Sequence, residues 1–242
     1  TRYESSAASD VYKRQVEIDP LNPNSTPKKH TALGRFKHEN AELVISKDGK
    51  IIVYMGDDER GEYLYKYVSN ESINEVKDKS TLLSNGNLYV DKFNDNFTGE
   101  WLLLDTQTTG LSSKAEVCIF TRLAASKVGA TTMDRPEWIA SNPKKNEVCC
   151  CLTNNKNRGI KTNKGGDKVD VDKVNPRKNN KYGQIVRWKP RDNNHSSVYF
   201  EWDLFVVAGN PNVHDDNNRG SKNIDKENMF NSPDGLKFDK YG

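Results

Sequence analysis

Three scarcities limit what this chain can be: few cysteines, no long apolar run and almost no net charge. Its 242 residues include 4 cysteines, and the consecutive Cys149, Cys150 and Cys151 do not make a disulfide framework. No apolar run approaches the roughly 20 residues of a membrane-spanning helix. The 37 Lys and Arg nearly offset the 34 Asp and Glu, which leaves a net charge of +3. We therefore expect neither a membrane span nor the overall field that attracts nucleic acid.

What is present is a polar chain with short apolar stretches and a clear hairpin signal at Asp48-Gly49. Short strands separated by turn residues predict an all-β fold, as a β-propeller, a sandwich or a barrel. One short helix is predicted over 114–128, where apolar residues recur at helical spacing. The predicted strands are 43–46, 51–55, 63–68, 88–90, 101–104, 138–140, 148–152, 184–188 and 198–208.

The two ends and one internal segment depart from this pattern. Residues 1–15 have no periodicity, and we interpret them as a disordered, non-native-looking leader before a domain of residues 16–242. Residues 232–242 have the pattern of a strand that runs into a turn without a hairpin partner, so we expect the chain to be part of a longer protein. Residues 155–194 are rich in Lys, Asn and Asp. They predict a long exposed loop, with a basic, phosphate-attracting rim as the alternative.

Three acids recur in a shared register along the chain. Glu39, Glu137 and Asp234 each precede a turn by a similar distance and are spaced 98 and 97 residues apart, about the length of two propeller blades. Equivalent positions of different blades lie at the same height around one axis, so these carboxylates would converge. Converging carboxylates repel unless a counter-charge is present, and Ca²⁺ supplies one through oxygen ligands. The alternative is that each acid only caps its own turn.

Further charged groups follow the strand 51–55 and precede the strand 138–140. Asp57, Asp58 and Glu59 come directly after an apolar strand, where three carboxylates are costly unless they bind a metal or a partner. Arg135 offers a planar fork that suits phosphate oxygens, or a salt bridge to a neighbouring acid. The sequence contains no motif for a Ser or Cys nucleophile, which favours metal-assisted chemistry over covalent catalysis.

Several uncommon strings of the sequence resemble one family, the PhoX alkaline phosphatases. They occur in the family's order and cover about residues 16–242. The strings are TALGRFKHE (31–39), YMGDDER (54–60), MDRPEW (133–138), LTNN (152–155), YGQIVRW (182–188) and NSPDGL (231–236). The resemblance implies a β-propeller, here a partial one with long loops, and an exported, metal-dependent phosphomonoesterase whose site holds Fe³⁺ and Ca²⁺.

The resemblance also implies roles for individual residues. Glu59 would be an iron ligand, Arg135 a phosphate contact, and Glu137 and Asp234 calcium ligands. The weaker metal candidates, which depend on the repeat and the acidic run more than on the family, are His38, Glu39, Asp57 and Asp58. The family's N-terminal half, with a cysteine that binds iron, has no counterpart here, so we expect the chain by itself to be inactive.

Two other functions remain open at this point. One is a non-catalytic calcium-binding propeller that serves as a scaffold, and the other is a calcium-dependent, lactonase-like propeller enzyme. For the phosphatase we expect phosphate monoesters as substrates, a monomer, and a periplasmic or extracellular location that follows from the resemblance alone.

Overall fold

The computed structural model describes residues 13–242, and the predicted leader lies outside it for residues 1–12. Residues 13–15 of that leader pair with the rest of the chain, since Lys13 bridges Phe36 and Gln15 lies opposite His30 in a small two-stranded sheet. The strands are β1 (Gln15–Glu17), β2 (Lys28–His30), β3 (His38–Ile45), β4 (Lys50–Asp57), β5 (Leu64–Ser72), β6 (Gly86–Phe93), β7 (Thr98–Leu103), β8 (Pro136–Ser141), β9 (Val148–Leu152), β10 (Gln184–Pro190) and β11 (Tyr199–Val207). The helices are α1 (Thr106–Thr109), α2 (Lys114–Ile119) and α3 (Thr121–Lys127).

Nine strands form one antiparallel sheet in the order β3-β4-β5-β6-β7-β11-β10-β9-β8. The all-β prediction is confirmed, and each of the nine predicted strands overlaps one strand of this sheet. The sheet consists of two meanders, β3–β7 and β8–β11, which join through only three residue pairs between β7 and β11. This arrangement is compatible with part of a propeller-like β fold. The repeats that begin at Glu39 and Glu137 each start a meander of this sheet.

The two outer strands of the sheet approach each other, so that the sheet nearly closes. Asn40 on β3 donates to the carbonyl of Ile139 on β8 at 2.7 Å and accepts from the Ile139 N–H at 3.0 Å. Two residues along, Glu42 accepts from the Ser141 N–H at 2.9 Å. These side chains replace the backbone ladder that a closed barrel would have. The starts of the two meanders are therefore held side by side.

Strand β4 is buried on both faces, which explains its continuous apolar run. Val53 and Met55 pack against the helical layer, while Ile52 and Tyr54 pack against Trp188 of the second meander. The three consecutive cysteines alternate in the same way on β9, with Cys150 in one apolar cluster and its two neighbours in another. All three are free and buried, so they serve as small apolar packing residues of the two clusters.

The single helix predicted over 114–128 is wrong in one respect, because the structure breaks it into α2 and α3 at Phe120. Phe120 has φ −104° and ψ 46°, outside the helical region. The hydroxyl of Thr121 contacts the carbonyls of Val117 and Cys118 at 3.1 Å each and accepts from the Arg35 N–H. The two local contacts and the tertiary one with Arg35 favour a break that the apolar spacing does not show.

The prediction of a long exposed loop over 155–194 is also wrong for much of that segment. Arg158 is fully buried, donates to Asp134 at 2.7 Å and donates to the carbonyl of Thr132 at 2.7 Å. Asn180 donates to the other oxygen of Asp134 at 2.9 Å. A buried carboxylate needs such partners, and the polar loop supplies them.

The strand predicted over 232–242 does not form. The segment is irregular, and Ser232 donates its N–H to the carbonyl of Tyr182 at 2.6 Å. Leu236 and Phe238 pack beside the apolar cluster of Cys149 and Cys151. Side-chain packing thus docks this segment on the second meander without a β-ladder.

Candidate metal centre

Three acids meet where the starts of the two meanders lie side by side. Glu39 is the second residue of β3, Glu137 is the second residue of β8, and Asp58 follows β4 directly. One carboxylate oxygen from each of the three lies within 4.8 Å of the others. We call Glu39, Asp58 and Glu137 the acidic triad. Near closure of the sheet brings together residues that are almost 100 positions apart in the sequence.

Arg135 lies against two members of the acidic triad. Its Nε donates to Asp58 Oδ1 at 2.6 Å, and its Nη2 lies 3.1 Å from Glu137 Oε1. The backbone of Arg135 has φ +60°, which is uncommon for a residue with a side chain and occurs most often where surrounding structure requires it. The side chain is 30 % exposed, so the guanidinium forms part of the site's open edge.

Negative charge accumulates in the acidic triad. Burial, together with a hydrogen bond to Asp58 and the charges of Asp58 and Asp234, raises the pKa of Glu137 to about 8 despite the nearby Arg135. Burial and the charges of Asp58 and Asp234 also raise the pKa of Glu39. Glu137 Oε1 is buried and has no aligned hydrogen-bond donor among the described residues. An oxygen-only donor set with this charge fits a hard cation such as Ca²⁺.

Asp234, the third acid of the repeat, lies near the acidic triad but outside the group within 4.8 Å. Its charge contributes to the raised pKa values of Glu39 and Glu137, which places it within electrostatic reach of both. The docking of its segment through Ser232 and Tyr182 holds it there.

Glu59, the predicted iron ligand, contacts two lysines instead of the acidic triad. Lys37 Nζ lies 2.8 Å and Lys164 Nζ 2.7 Å from Glu59 Oε2. Burial alone would raise the pKa of Glu59, but hydrogen bonds from Lys164 and Lys37 lower it to about 2. Glu59 is therefore an anion paired with two lysines and does not belong to the acidic triad.

Two of the weaker candidates are turned away from the acidic triad. Asp57 is fully buried and accepts hydrogen bonds from Arg122 Nε at 2.7 Å and Nη2 at 2.5 Å. This ion pair links α3 to the end of β4. His38 stacks on Phe36, and its ring nitrogens contact the Gly34 carbonyl and the Gln15 amide. Burial lowers the pKa of His38 to about 4. Both residues support the segments that carry Asp58 and Glu39.

Comparison with known proteins gives a family for this geometry. The family model of alkaline phosphatase PhoX matches residues 3–242. The chain belongs to the PhoX family. A solved structure titled Pseudomonas fluorescens PhoX in complex with vanadate, a transition state analogue, matches with a TM-score of 0.85 and 51 % sequence identity.

The match covers 94 % of this chain but 41 % of the Pseudomonas fluorescens chain, so the chain spans about two fifths of that PhoX structure. Comparison with curated proteins gives no match. Over the part of the chain that the structure describes, none of the helices has the length and apolarity needed to cross a bilayer. The family resemblance stated from the sequence strings is confirmed.

Sequence reasoning missed Arg122, which fixes Asp57 within the PhoX string YMGDDER. One signal was present, since Arg122 lies in the predicted helix between residues on its apolar face. Lys37 and Lys164, which neutralise Glu59, were also missed. Lys164 comes from the Asn-rich loop 105 residues away from Glu59, and no spacing in the sequence indicates that contact.

Proposed function

We propose that this chain carries part of the active site of a metal-dependent phosphate monoester hydrolase. One observation carries the proposal: in a chain of the PhoX family, the guanidinium of Arg135 borders the three converging carboxylates of the acidic triad. Ca²⁺ is proposed at the acidic triad with Asp234 as a further ligand. Fe³⁺ is proposed at a part of the site that includes Glu59, as the family resemblance implies.

The residues present fit hard cations, because Glu137 Oε1 is buried without an aligned donor and the triad offers only oxygen atoms. When bound, such cations neutralise phosphate charge and lower the pKa of water. Arg135 contacts Asp58 and Glu137 in the structure. With those two carboxylates acting as metal ligands, the N–H groups of Arg135 would be available to phosphate oxygens.

Arg135 would then bind the phosphate through parallel N–H bonds and stabilise the charge that develops on its oxygens. The hydrogen bond to Asp58 and the contact with Glu137 hold the guanidinium at the acidic triad. Lys37 and Lys164 neutralise the carboxylate of Glu59. The Asp57–Arg122 pair holds the turn that carries Asp58.

The test uses the complete enzyme that contains these residues, loaded with Ca²⁺ and Fe³⁺ and assayed on an aryl phosphate. Arg135→Lys is expected to lower kcat/KM by an amount equivalent to about 3 kcal/mol, since one ammonium cannot replace two parallel hydrogen bonds. Arg187→Lys, which changes an arginine paired with Asp203 at the surface, is the matched control and should leave kcat/KM unchanged. Unchanged kinetics for Arg135→Lys together with a shifted Tm would assign Arg135 a purely structural role.

Three further measurements distinguish the proposal from a scaffold or a lactonase-like enzyme. Chelation should abolish turnover, inorganic phosphate should compete with substrate, and elemental analysis should find both calcium and iron. Zinc alone would contradict the metal assignment, and lactone hydrolysis insensitive to phosphate would favour the other enzyme class. By itself, the 242-residue chain is expected to bind cations without turning over phosphate esters.

The family resemblance also supports export to the periplasm or the extracellular space and a monomeric state. Both belong to the proposal, and fractionation of cells with sedimentation of the complete enzyme would test them.

A further inference from the structure

A cavity of about 370 Å³ lies against helix α2, and we call it the α2 cavity. Its lining residues from α2 are Lys114, Ala115, Cys118 and Ile119, and those from other segments are Arg14, Thr31, Ala32 and Ser84. None of these residues is acidic, and none belongs to the acidic triad or contributes to the metal site proposed above. The α2 cavity is therefore a separate site, and its charged lining is entirely basic.

Backbone carbonyls hold the two basic side chains at the wall of the α2 cavity. Arg14 Nη1 donates to the carbonyl of Thr31, itself a lining residue, at 3.0 Å. Lys114 Nζ donates to the carbonyl of Gly86 at 2.9 Å, and Gly86 lies two residues after the lining residue Ser84. Guanidinium and ammonium groups have five and three N–H donors, so both side chains keep donors for an anion.

The positive charges converge on one residue of the wall. Burial raises the pKa of the Cys118 thiol, and the charges of Arg14 and Lys114 oppose that rise, so both lie within electrostatic reach of it. A third cation is close, because Arg35 Nε donates to the carbonyl of the lining residue Ile119 at 3.2 Å. Burial and the charge of Arg35 lower the pKa of Arg14. Cations gathered in this way repel one another, and a bound anion would relieve the repulsion.

The acids of the surrounding segments have other partners. Asp105 and Glu116 accept backbone N–H groups of neighbouring residues at 2.8 and 3.0 Å, and Glu17 contacts His30 at 2.8 Å. Asp105 lines a different cavity, of about 180 Å³. Neither basic side chain of the α2 cavity forms an ion pair with a described residue. An anion from solution can therefore supply the missing counter-charge.

We propose that the α2 cavity binds a small organic phosphate monoester. Such an ester carries close to two negative charges above about pH 7, which the two basic groups of the cavity balance. The planar fork of Arg14 matches phosphate oxygens, and Lys114 adds a point charge. Thr31 and Ser84 offer hydroxyl groups, and Ile119 offers apolar contact to the organic part. The bound ester links the segment before β1 to α2, independently of the proposed phosphatase function.

The test uses phenylphosphonate, in which carbon replaces the ester oxygen so that no hydrolysis can occur. It is added to the 242-residue chain with Glu39→Gln and Glu137→Gln at pH 8 in the presence of a chelator, which disables the acidic triad. Saturable shifts are expected in the amide resonances of Ala115, Cys118 and Ile119. Shifts confined to other parts of the chain would overturn the site, whether or not the complete enzyme is a phosphatase.

Two related compounds test the class of ligand. Benzoate has one negative charge and should bind roughly tenfold more weakly than phenylphosphonate in isothermal titration. Benzyl alcohol is neutral and should leave the three amide resonances unshifted. Benzoate that binds as tightly as phenylphosphonate would overturn the assignment to phosphate monoesters, and equal shifts with benzyl alcohol would show that the cavity is only apolar.

Substitutions of the two basic residues provide a further arm. In the same background, Arg14→Gln and Lys114→Met should each weaken phenylphosphonate binding roughly tenfold, because each removes a charged donor. Lys144→Met, which changes an exposed lysine that does not line the α2 cavity, is the matched control and should bind as the parent does. Parental affinity in both Arg14→Gln and Lys114→Met would overturn the proposal. Should either variant fail to fold, the resonance shifts of the parent decide the matter.

Discussion

Among conservative substitutions, we expect the largest loss of stability from Asp57→Asn, because it breaks the buried ion pair between Asp57 and Arg122. Asp57 is fully buried and accepts two hydrogen bonds from Arg122, at 2.7 and 2.5 Å, and one from the Lys37 N–H at 3.2 Å. Asp57→Asn keeps the volume but removes the charge. Arg122, itself 6 % exposed, then keeps its contact with Glu62 at 3.3 Å but loses the closer, hydrogen-bonded carboxylate.

Breaking a buried pair from one side costs about 3–5 kcal/mol of the free energy of unfolding, because the remaining charge stays desolvated. For a chain of this length, 1 kcal/mol shifts Tm by roughly 2–4 °C, so Asp57→Asn should lower Tm by about 6–20 °C. Scanning calorimetry or circular dichroism at neutral pH in the absence of metal measures this shift directly.

Asp203→Asn is the matched control. Arg187 also donates two hydrogen bonds to Asp203, at 2.9 and 2.5 Å, but the Asp203 side chain is 49 % exposed. A surface pair contributes less than about 1 kcal/mol, so this variant should melt within a few degrees of the parent. Equal shifts in the two variants would refute the reasoning, since burial is the only large difference between these pairs.

Three other changes test the same structure. Glu137→Gln should raise the Tm of the metal-free chain, because it relieves repulsion in the acidic triad. It should also abolish the Ca²⁺-induced rise in Tm that we expect of the parent, and a Ca²⁺ response equal to the parent's would contradict the proposed ligand role. Burial lowers the pKa of Lys66 to about 7, so the unfolded chain binds more protons than the folded chain between about pH 7 and 10.4. The free energy of unfolding, measured by urea titration, should therefore increase with pH across that window. Lys66→Met should flatten this pH dependence. Gly56→Ala places a Cβ 2.7 Å from the Glu137 carbonyl, so it should push β8 away, cost about 1–3 kcal/mol of unfolding free energy and weaken Ca²⁺ binding in calorimetry. If Gly56→Ala keeps the Tm and the Ca²⁺ affinity of the parent, this prediction is wrong, because β4 and β8 can then move apart at Gly56 without loss.

The sequence by itself determined the strands, because each of the nine is a short apolar stretch bounded by turn residues, and side-chain alternation is a local property. It also indicated that Glu39 and Glu137 are equivalent, since both follow the same register at the start of a meander. The uncommon strings that contain Asp58, Arg135 and Glu137 were sufficient to indicate the PhoX family, which the family match confirmed.

Tertiary structure alone decided which charged groups face one another. Asp57, Asp58 and Glu59 are consecutive, yet one pairs with Arg122, one joins the acidic triad and one pairs with two lysines. Nothing local distinguishes three adjacent carboxylates, because their partners include groups from a helix, a second meander and a loop that are 65 to 105 residues away, and the nearer Lys37 is still 22 residues away. The same holds for the loop that buries Arg158 against Asp134, where a polar composition predicted exposure. Long-range pairing of buried charge depends on how the sheet closes, and that closure is a property of the whole fold.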